Sequence, residues 1–140
     1  METTQPAASA DARWNMLKQR CPTRQVLDRV ADRWTMLVIT SLSAEQPLRF
    51  SELRRRIEGV SQKMLTQTLR GLQRDGLITR SVFPTVPVTV EYALTDLGAS
   101  LADAVAGIRA WAYTNMDAIE HARSAYDTAE RTPVSTLNRH

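Results

Sequence analysis

Residues 61–74, SQKMLTQTLRGLQR, constrain this chain more than any other stretch. At helical spacing Val60, Met64, Leu65, Leu69 and Leu72 share one side, in steps of three and four. Gln62, Lys63, Thr66, Gln67, Arg70 and Arg74 share the other. Ser61 stands where an N-cap hydroxyl accepts a free backbone N–H one turn in, and Gly59 eases the tight entry before it. The outward side holds amides, a hydroxyl and cations, and no acid. Amides pair with adenine edges, Arg and Lys with guanine or phosphate, and Thr touches a thymine methyl. A solvated amphipathic helix is the plainer reading of the same pattern, and this helix alone does not choose between them. Its neighbours do.

The charge is concentrated around this stretch. The chain carries +3 in all. Between residues 49 and 80 stand Arg49, Arg54, Arg55, Arg56, Lys63, Arg70, Arg74 and Arg80 against Glu52, Glu58 and Asp75. Eight cations against three acids leave +5 there and −2 for the remainder. A basic cluster of this kind suits a polyanion. A length of 140 residues bounds the chain to one ordinary domain, and a 43% hydrophobic content argues against disorder throughout. No apolar run approaches the roughly 20 residues that cross a bilayer. The start, METTQPAASADA, lacks the basic n-region and apolar h-region of a secretory signal. A lone cysteine makes no internal disulfide. The expectation is a cytoplasmic protein without membrane contact.

Along the chain, residues 1–10 are small and polar and read as a mobile arm. Residues 11–20 suit a short helix showing Trp14 and Leu17, a surface for a second subunit. Cys21-Pro22 breaks it and opens the next helix, since proline fits a first helical turn. Val26, Leu27, Val30 and Ala31 form that helix's stripe. Trp34, Leu37, Val38 and Leu42 continue as a largely buried helix, with Trp34 a core residue. Gln46-Pro47-Leu48 reads as a connection. Residues 49–57 form a short helix with Phe50, Leu53 and Ile57 apolar and Ser51 at its N-terminus. Glu58-Gly59-Val60 is a three-residue turn into the 61–74 helix. Two short helices, a tight glycine turn and a polar-basic second helix make a helix-turn-helix pattern. Asp75-Gly76 ends it with a left-handed C-cap. Residues 77–83 and 88–94 read as strands joined through Pro84-Thr85-Val86-Pro87, which makes a wing.

Thr95 is an N-cap with Asp96 complementing the dipole of a long helix, 95–125. Leu101, Ile108, Trp111, Asn115 and Ile119 lie on a stripe that also takes in Leu97 and Ala104. This stripe exceeds what a small core needs and suits a subunit seam, with Asn115 a candidate register-fixing group. Packing within one chain is the alternative. Residues 126–140 read as a polar, frayed tail. The expected architecture is mainly α with a small β-hairpin: a winged helix-turn-helix over 11–125 that dimerises through terminal helices.

The succession Cys21-Pro22, Asp32-Arg33-Trp34, Leu48-Arg49-Phe50-Ser51-Glu52-Leu53, Val60-Ser61-Gln62-Lys63-Met64-Leu65-Thr66, Leu69-Arg70-Leu72, Asp75-Gly76-Leu77-Ile78, Val90-Glu91-Tyr92, Leu94-Thr95 and Gly98 resembles the HxlR-type winged helix-turn-helix regulators, relatives of the MarR group. The likeness spans residues 21–112, and its combination of motifs is specific although no single piece is. It implies a bacterial homodimeric transcription regulator whose Ser-x-Lys-x-Leu-Thr helix enters the major groove and whose hairpin touches the backbone or minor groove. Two departures stand out. Where the family hairpin carries a Pro-Pro pair and then a basic residue, this chain has Val86-Pro87-Val88-Thr89. Its wing contact is then weaker, or falls to Arg80. Arg33 stands where Lys is common.

The resulting expectation is a repressor bound as a homodimer to a palindromic double-stranded operator. Ser61 caps the reading helix, and Gln62, Lys63, Thr66, Gln67 and Arg70 contact bases or groove edges. Arg49, Arg54, Arg55, Arg74 and Arg80 hold phosphates, which position without reading. The resemblance also makes Cys21 a candidate sensor of an oxidant or electrophile. A helix N-terminus and the nearby Arg20 and Arg24 favour a thiolate. A small buried hydrophobe is the other reading of Cys21, and a small-molecule effector bound elsewhere is the other reading of control. The sequence suggests no cofactor. An enzyme is disfavoured because His121 and His140 lie far from Cys21 and no phosphate loop or paired-acid motif occurs. A metal sensor would need more Cys and His. A winged helix serving protein contact alone would not need the outward Gln/Lys/Gln/Arg set.

Overall fold

A computed structural model describes residues 14–131. The expected arm over 1–10, the start of the 11–20 helix and the tail beyond 131 lie outside the described residues. Residues 16–20 form turns and a bend, and no helix forms over 14–20. The Asn15 carbonyl accepts from Lys18 N–H, the Lys18 carbonyl from Cys21 N–H, and the Asn15 side chain from Leu17 N–H. A helix this short is marginal in water without packing to hold it.

Helix α1, Pro22–Ala31, follows Cys21, whose backbone is extended. Pro22 fills the first turn as expected, but α1 buries no side chain. Of its apolar stripe, Val26, Leu27 and Ala31 are exposed, Val26 by 52%, and Val30 is half-buried. Helix α2, Arg33–Ala44, starts at Asp32, whose carboxylate accepts from Thr35 N–H at 3.2 Å. Its inward face is Thr35, Val38, Ile39 and Leu42. Leu37, expected among them, is exposed. Trp34 is half-buried at the edge of the core, with the Arg33 guanidinium 4.9 Å from its ring centroid.

Leu48–Arg49 is a strand, β1, within what reads as a connection. It pairs antiparallel with the third strand, Leu48 against Tyr92 and Arg49 against Glu91. Leu48 is fully buried, and the Gln46 side chain takes up the Leu94 N–H at 2.7 Å. Helix α3, Phe50–Arg56, starts at Arg49, so Ser51 lies inside it. Its end is held by Glu52, whose carboxylate accepts from Arg49 N–H at 2.8 Å. Gly59 turns the chain at φ 88°, in the left-handed region that favours glycine.

Helix α4, Gln62–Arg74, is capped as the sequence indicates: the Ser61 hydroxyl accepts from Met64 N–H at 3.1 Å. Leu65, Thr68, Leu69, Gly71 and Leu72 face inward. Thr68 is buried at no polar cost because its hydroxyl donates to the Met64 carbonyl at 2.8 Å. Met64 is 36% exposed at the margin of that face. Past the helix Gly76 has φ 76°. Leu77 N–H reaches the Leu72 carbonyl and Gly76 N–H the Gln73 carbonyl, the two closures of a Schellman motif.

Strands β2, Ile78–Phe83, and β3, Thr89–Leu94, form the expected hairpin, in register from Ile78 against Leu94 to Phe83 against Thr89. The sheet order is β1-β3-β2. In the loop the Thr85 hydroxyl donates to the Pro87 carbonyl at 2.7 Å. Helix α5, Asp96–Glu130, begins at Thr95, whose hydroxyl accepts from Gly98 N–H at 3.0 Å. Gly98 is required here because a Cβ would meet the Leu77 carbonyl. Helix α5 runs five residues past its expected end, through Tyr126 into residues expected to fray.

The chain divides at Val105 into two compact units. In the first, Val38, Ile39, Leu42, Leu53, Leu65, Leu72, Ile78 and Val105 belong to one core. The second begins at Ala106 and contains the rest of α5.

Candidate nucleic-acid interface

The residues expected to read DNA are displayed together on α4. Gln62, Lys63, Gln67, Arg70 and Arg74 are exposed, with Ser61 exposed at the cap and Thr66 half-buried. Gln62, Lys63, Thr66, Gln67 and Arg70 line one shallow depression. The first turn of α4 carries no acid. The apolar residues on the other side fix this orientation. Turning the helix to hide Gln62 or Arg70 would expose Leu65, Leu69 and Leu72 together.

The basic residues divide into separate places. Arg80, on β2, lines a concavity of about 370 Å³ with Phe50, Thr66, Leu69, Arg70, Gln73 and Tyr92. Arg70 thus borders both the depression on α4 and the notch against the hairpin. Arg49 is exposed at the start of α3, and Arg54 and Arg55 are exposed in its last turn. Arg56 pairs instead with Glu45. Arg74 lies elsewhere, lining a concavity of about 300 Å³ with Pro22, Gln25, Val26, Arg29 and Asp75. Sequence reading missed Gln73, Phe50 and Tyr92, because three elements must meet before they share a wall. Arg29 was missed too. Its Nε donates to Asp75 Oδ2 at 3.0 Å, and nothing local links residues 46 apart.

Cys21 is 7% exposed, at the head of α1. Burial raises its thiol pKa. Hydrogen bonds with the backbone of Arg24 and Thr23, the Thr23 hydroxyl and the Asn15 backbone outweigh it, so the thiol titrates below its ordinary value. Among the described residues, no group of three or more His, Cys, Asp or Glu side chains could hold a metal ion. No helix among them is long and apolar enough to cross a membrane.

The residues expected at a subunit seam are not all in one place. Trp14 lies in irregular backbone ahead of the turns that lead into α1. Leu101 is half-buried against the core of the first unit, so part of its surface serves internal packing. In the second unit Ile108 and Trp111 are exposed, Trp111 by 61%, and Asn115 and Ile119 are half-buried. Asn115 Nδ2 donates to the Trp111 carbonyl at 2.7 Å, so its amide is folded onto its own helix.

Known proteins resemble this chain over most of its length. The HxlR-like helix-turn-helix family matches residues 29–120. An HTH-type transcriptional regulator of Escherichia coli (strain K12), YtfH, is 44% identical over 102 residues, covering 73% of this chain and 80% of that protein. The solved structure of the transcriptional regulator ytfH from Salmonella typhimurium superimposes with a TM-score of 0.74 at 40% identity, covering 79% of this chain and 98% of the other. The oxidized form of the redox regulator HypR superimposes with a TM-score of 0.62 at 35% identity, covering 68% and 97%.

Proposed function

Because this chain belongs to the HxlR-like helix-turn-helix family, a family of transcription regulators and not of enzymes, we propose that it is a homodimeric repressor of a palindromic operator. Each copy lays α4 in one major groove. A two-fold axis then sets the two helices about 34 Å apart, one turn of DNA. Gln62, Lys63, Thr66, Gln67 and Arg70 touch bases or groove edges, and Arg49, Arg54, Arg55, Arg74 and Arg80 touch phosphates. Repression follows from occupancy, since a dimer across consecutive grooves covers DNA that polymerase needs. On this reading the protein works in the cytoplasm.

One observation carries the reading: the exposed face of α4 is amide, hydroxyl and cation without an acid, while its other face is locked into the core. A helix serving protein contact alone has no use for that composition. The test is selection from random duplexes, followed by binding of an enriched sequence and a scrambled control. Enrichment of an inverted repeat with half-sites one turn apart supports the reading. Equal binding to both duplexes would sink it.

Control through Cys21 is the accompanying reading. It is favoured by the lowered pKa of the thiol at the head of α1 and by the likeness to the redox regulator HypR. Thiolate attack on a small disulfide leaves a mixed disulfide on Cys21 and releases one thiol. Two Cys21 thiols joined between subunits release two protons and two electrons to an oxidant. Either product alters the head of α1.

A further inference from the structure

Asp75 is at an unfavourable place for a carboxylate. It caps the C-terminal end of α4, where the helix dipole repels negative charge. Arg29 of α1 reaches across to it, Nε to Oδ2 at 3.0 Å, with the two side chains 31% and 30% exposed. The guanidinium lies over Gly71, and its Nη2 is 2.7 Å from where a Cβ at that position would be. Glycine inside a helix is otherwise destabilising. Here its bare backbone makes room for the Arg29 fork. Arg74 stands beside Asp75 and shares a concavity with Arg29.

We infer that Arg29 is a positioning residue for DNA reading, fixing the C-terminal end of α4 through Asp75 and the notch at Gly71. The inference rests on the DNA-binding reading above. Arg29 need not touch DNA itself. It sets the angle at which α4 enters the groove. The pair also ties α4 to α1, which buries no side chain of its own. A ligand or modification that shifts α1 therefore pulls on the reading helix.

The test exploits a difference in sign. Removing an acid near bound phosphates tightens binding to all DNA if charge is all that matters. Removing a positioning acid weakens operator binding alone. The probes are an operator selected from random duplexes and a scrambled duplex of equal length. Affinities are read by fluorescence anisotropy at two salt concentrations, with circular dichroism to verify folding. Asp75→Asn is expected to lower operator affinity by about threefold to tenfold, the range of a coupled pair, while scrambled-duplex affinity stays level or rises. Gly71→Ala keeps both charges but displaces the guanidinium, and it should lower the operator-to-scrambled ratio likewise. Arg29→Lys keeps the charge without the planar fork and should restore only part of what Arg29→Met loses. Arg29→Met with Asp75→Asn should be no worse than Arg29→Met alone. An unchanged ratio in folded Asp75→Asn and Gly71→Ala would overturn the inference while leaving the DNA reading intact. A selection that enriches nothing would overturn both.

Discussion

Arg70 of α4 and Arg80 of β2 wall the same notch, although a helix end and a turn separate them. On the proposed reading, two arginines lining one concavity of about 370 Å³ would hold a phosphate there. Arg80 is the hairpin's cation in a chain whose wing loop has none. Arg80→Ala should weaken binding to operator and scrambled DNA alike, and should reduce the salt slope by about 0.9 for each phosphate it no longer neutralises. Arg70 borders the reading face as well. Arg70→Ala should lower operator affinity by about 1–3 kcal/mol if it makes a bidentate base contact. Salt titrations of both variants on both duplexes separate the roles. Equal losses on operator and scrambled DNA for Arg70→Ala would remove it from the reading set.

Thr95 joins two ends of the fold. Its hydroxyl accepts from Gly98 N–H at 3.0 Å and donates to the Gly76 carbonyl at 2.7 Å, so one oxygen caps α5 and ties down the turn after α4. Thr95→Val keeps the shape and loses both bonds. The expected cost is about 1–2 kcal/mol, that of a lost N-cap. Urea unfolding measures it, and a midpoint equal to the parent's would contradict this account.

Cys21 should show its lowered pKa in its chemistry. The alkylation rate with iodoacetamide should reach half its plateau at lower pH in the folded protein than in urea. A thiol whose pKa falls on folding contributes stability above its unfolded pKa and loses it as pH drops through the folded one. Stability of the parent relative to Cys21→Ser should therefore rise with pH across that window. If oxidant or quinone releases DNA equally from Cys21→Ser and parent, Cys21 is structural.

Trp111 is a large apolar side chain left in solvent, and Ile108 is exposed on the preceding turn. If they form the subunit seam, Ile108→Glu with Trp111→Glu should shift the protein from dimer to monomer in sedimentation equilibrium. Its circular dichroism should stay unchanged, and cooperative operator binding should fall. A dimer that persists at the same concentration would place the seam elsewhere.

Several elements were legible because their causes are local. Helix α4 shows its polar face, its Ser61 cap and its Gly76 stop within sixteen residues, and each depends on neighbours no more than a few positions away. The hairpin announced itself through β-branched residues, and Thr95 through the acid and apolar residues after it. Strand β1 did not, since two residues show no period and only pairing with Tyr92 and Glu91 makes them a strand. The short helix expected at 11–20 does not form over 14–20, because a few apolar residues without packing do not sustain one. The apolar stripe on α1 was legible too, but three of its four residues are exposed. Its exposure depends on what lies opposite, which periodicity does not encode.

By itself the sequence determined which residues α4 displays on its polar face. Helical period, capping and the lack of acid on one face follow from the order of side chains along a few turns. Tertiary structure alone decided which of those residues meet. Arg70 and Arg80 line one notch, and Arg29 crosses 46 positions to bond Asp75 with its guanidinium over Gly71. Such meetings are set when the apolar faces of separate elements pack together. They depend on distances through space, for which no local pattern stands in.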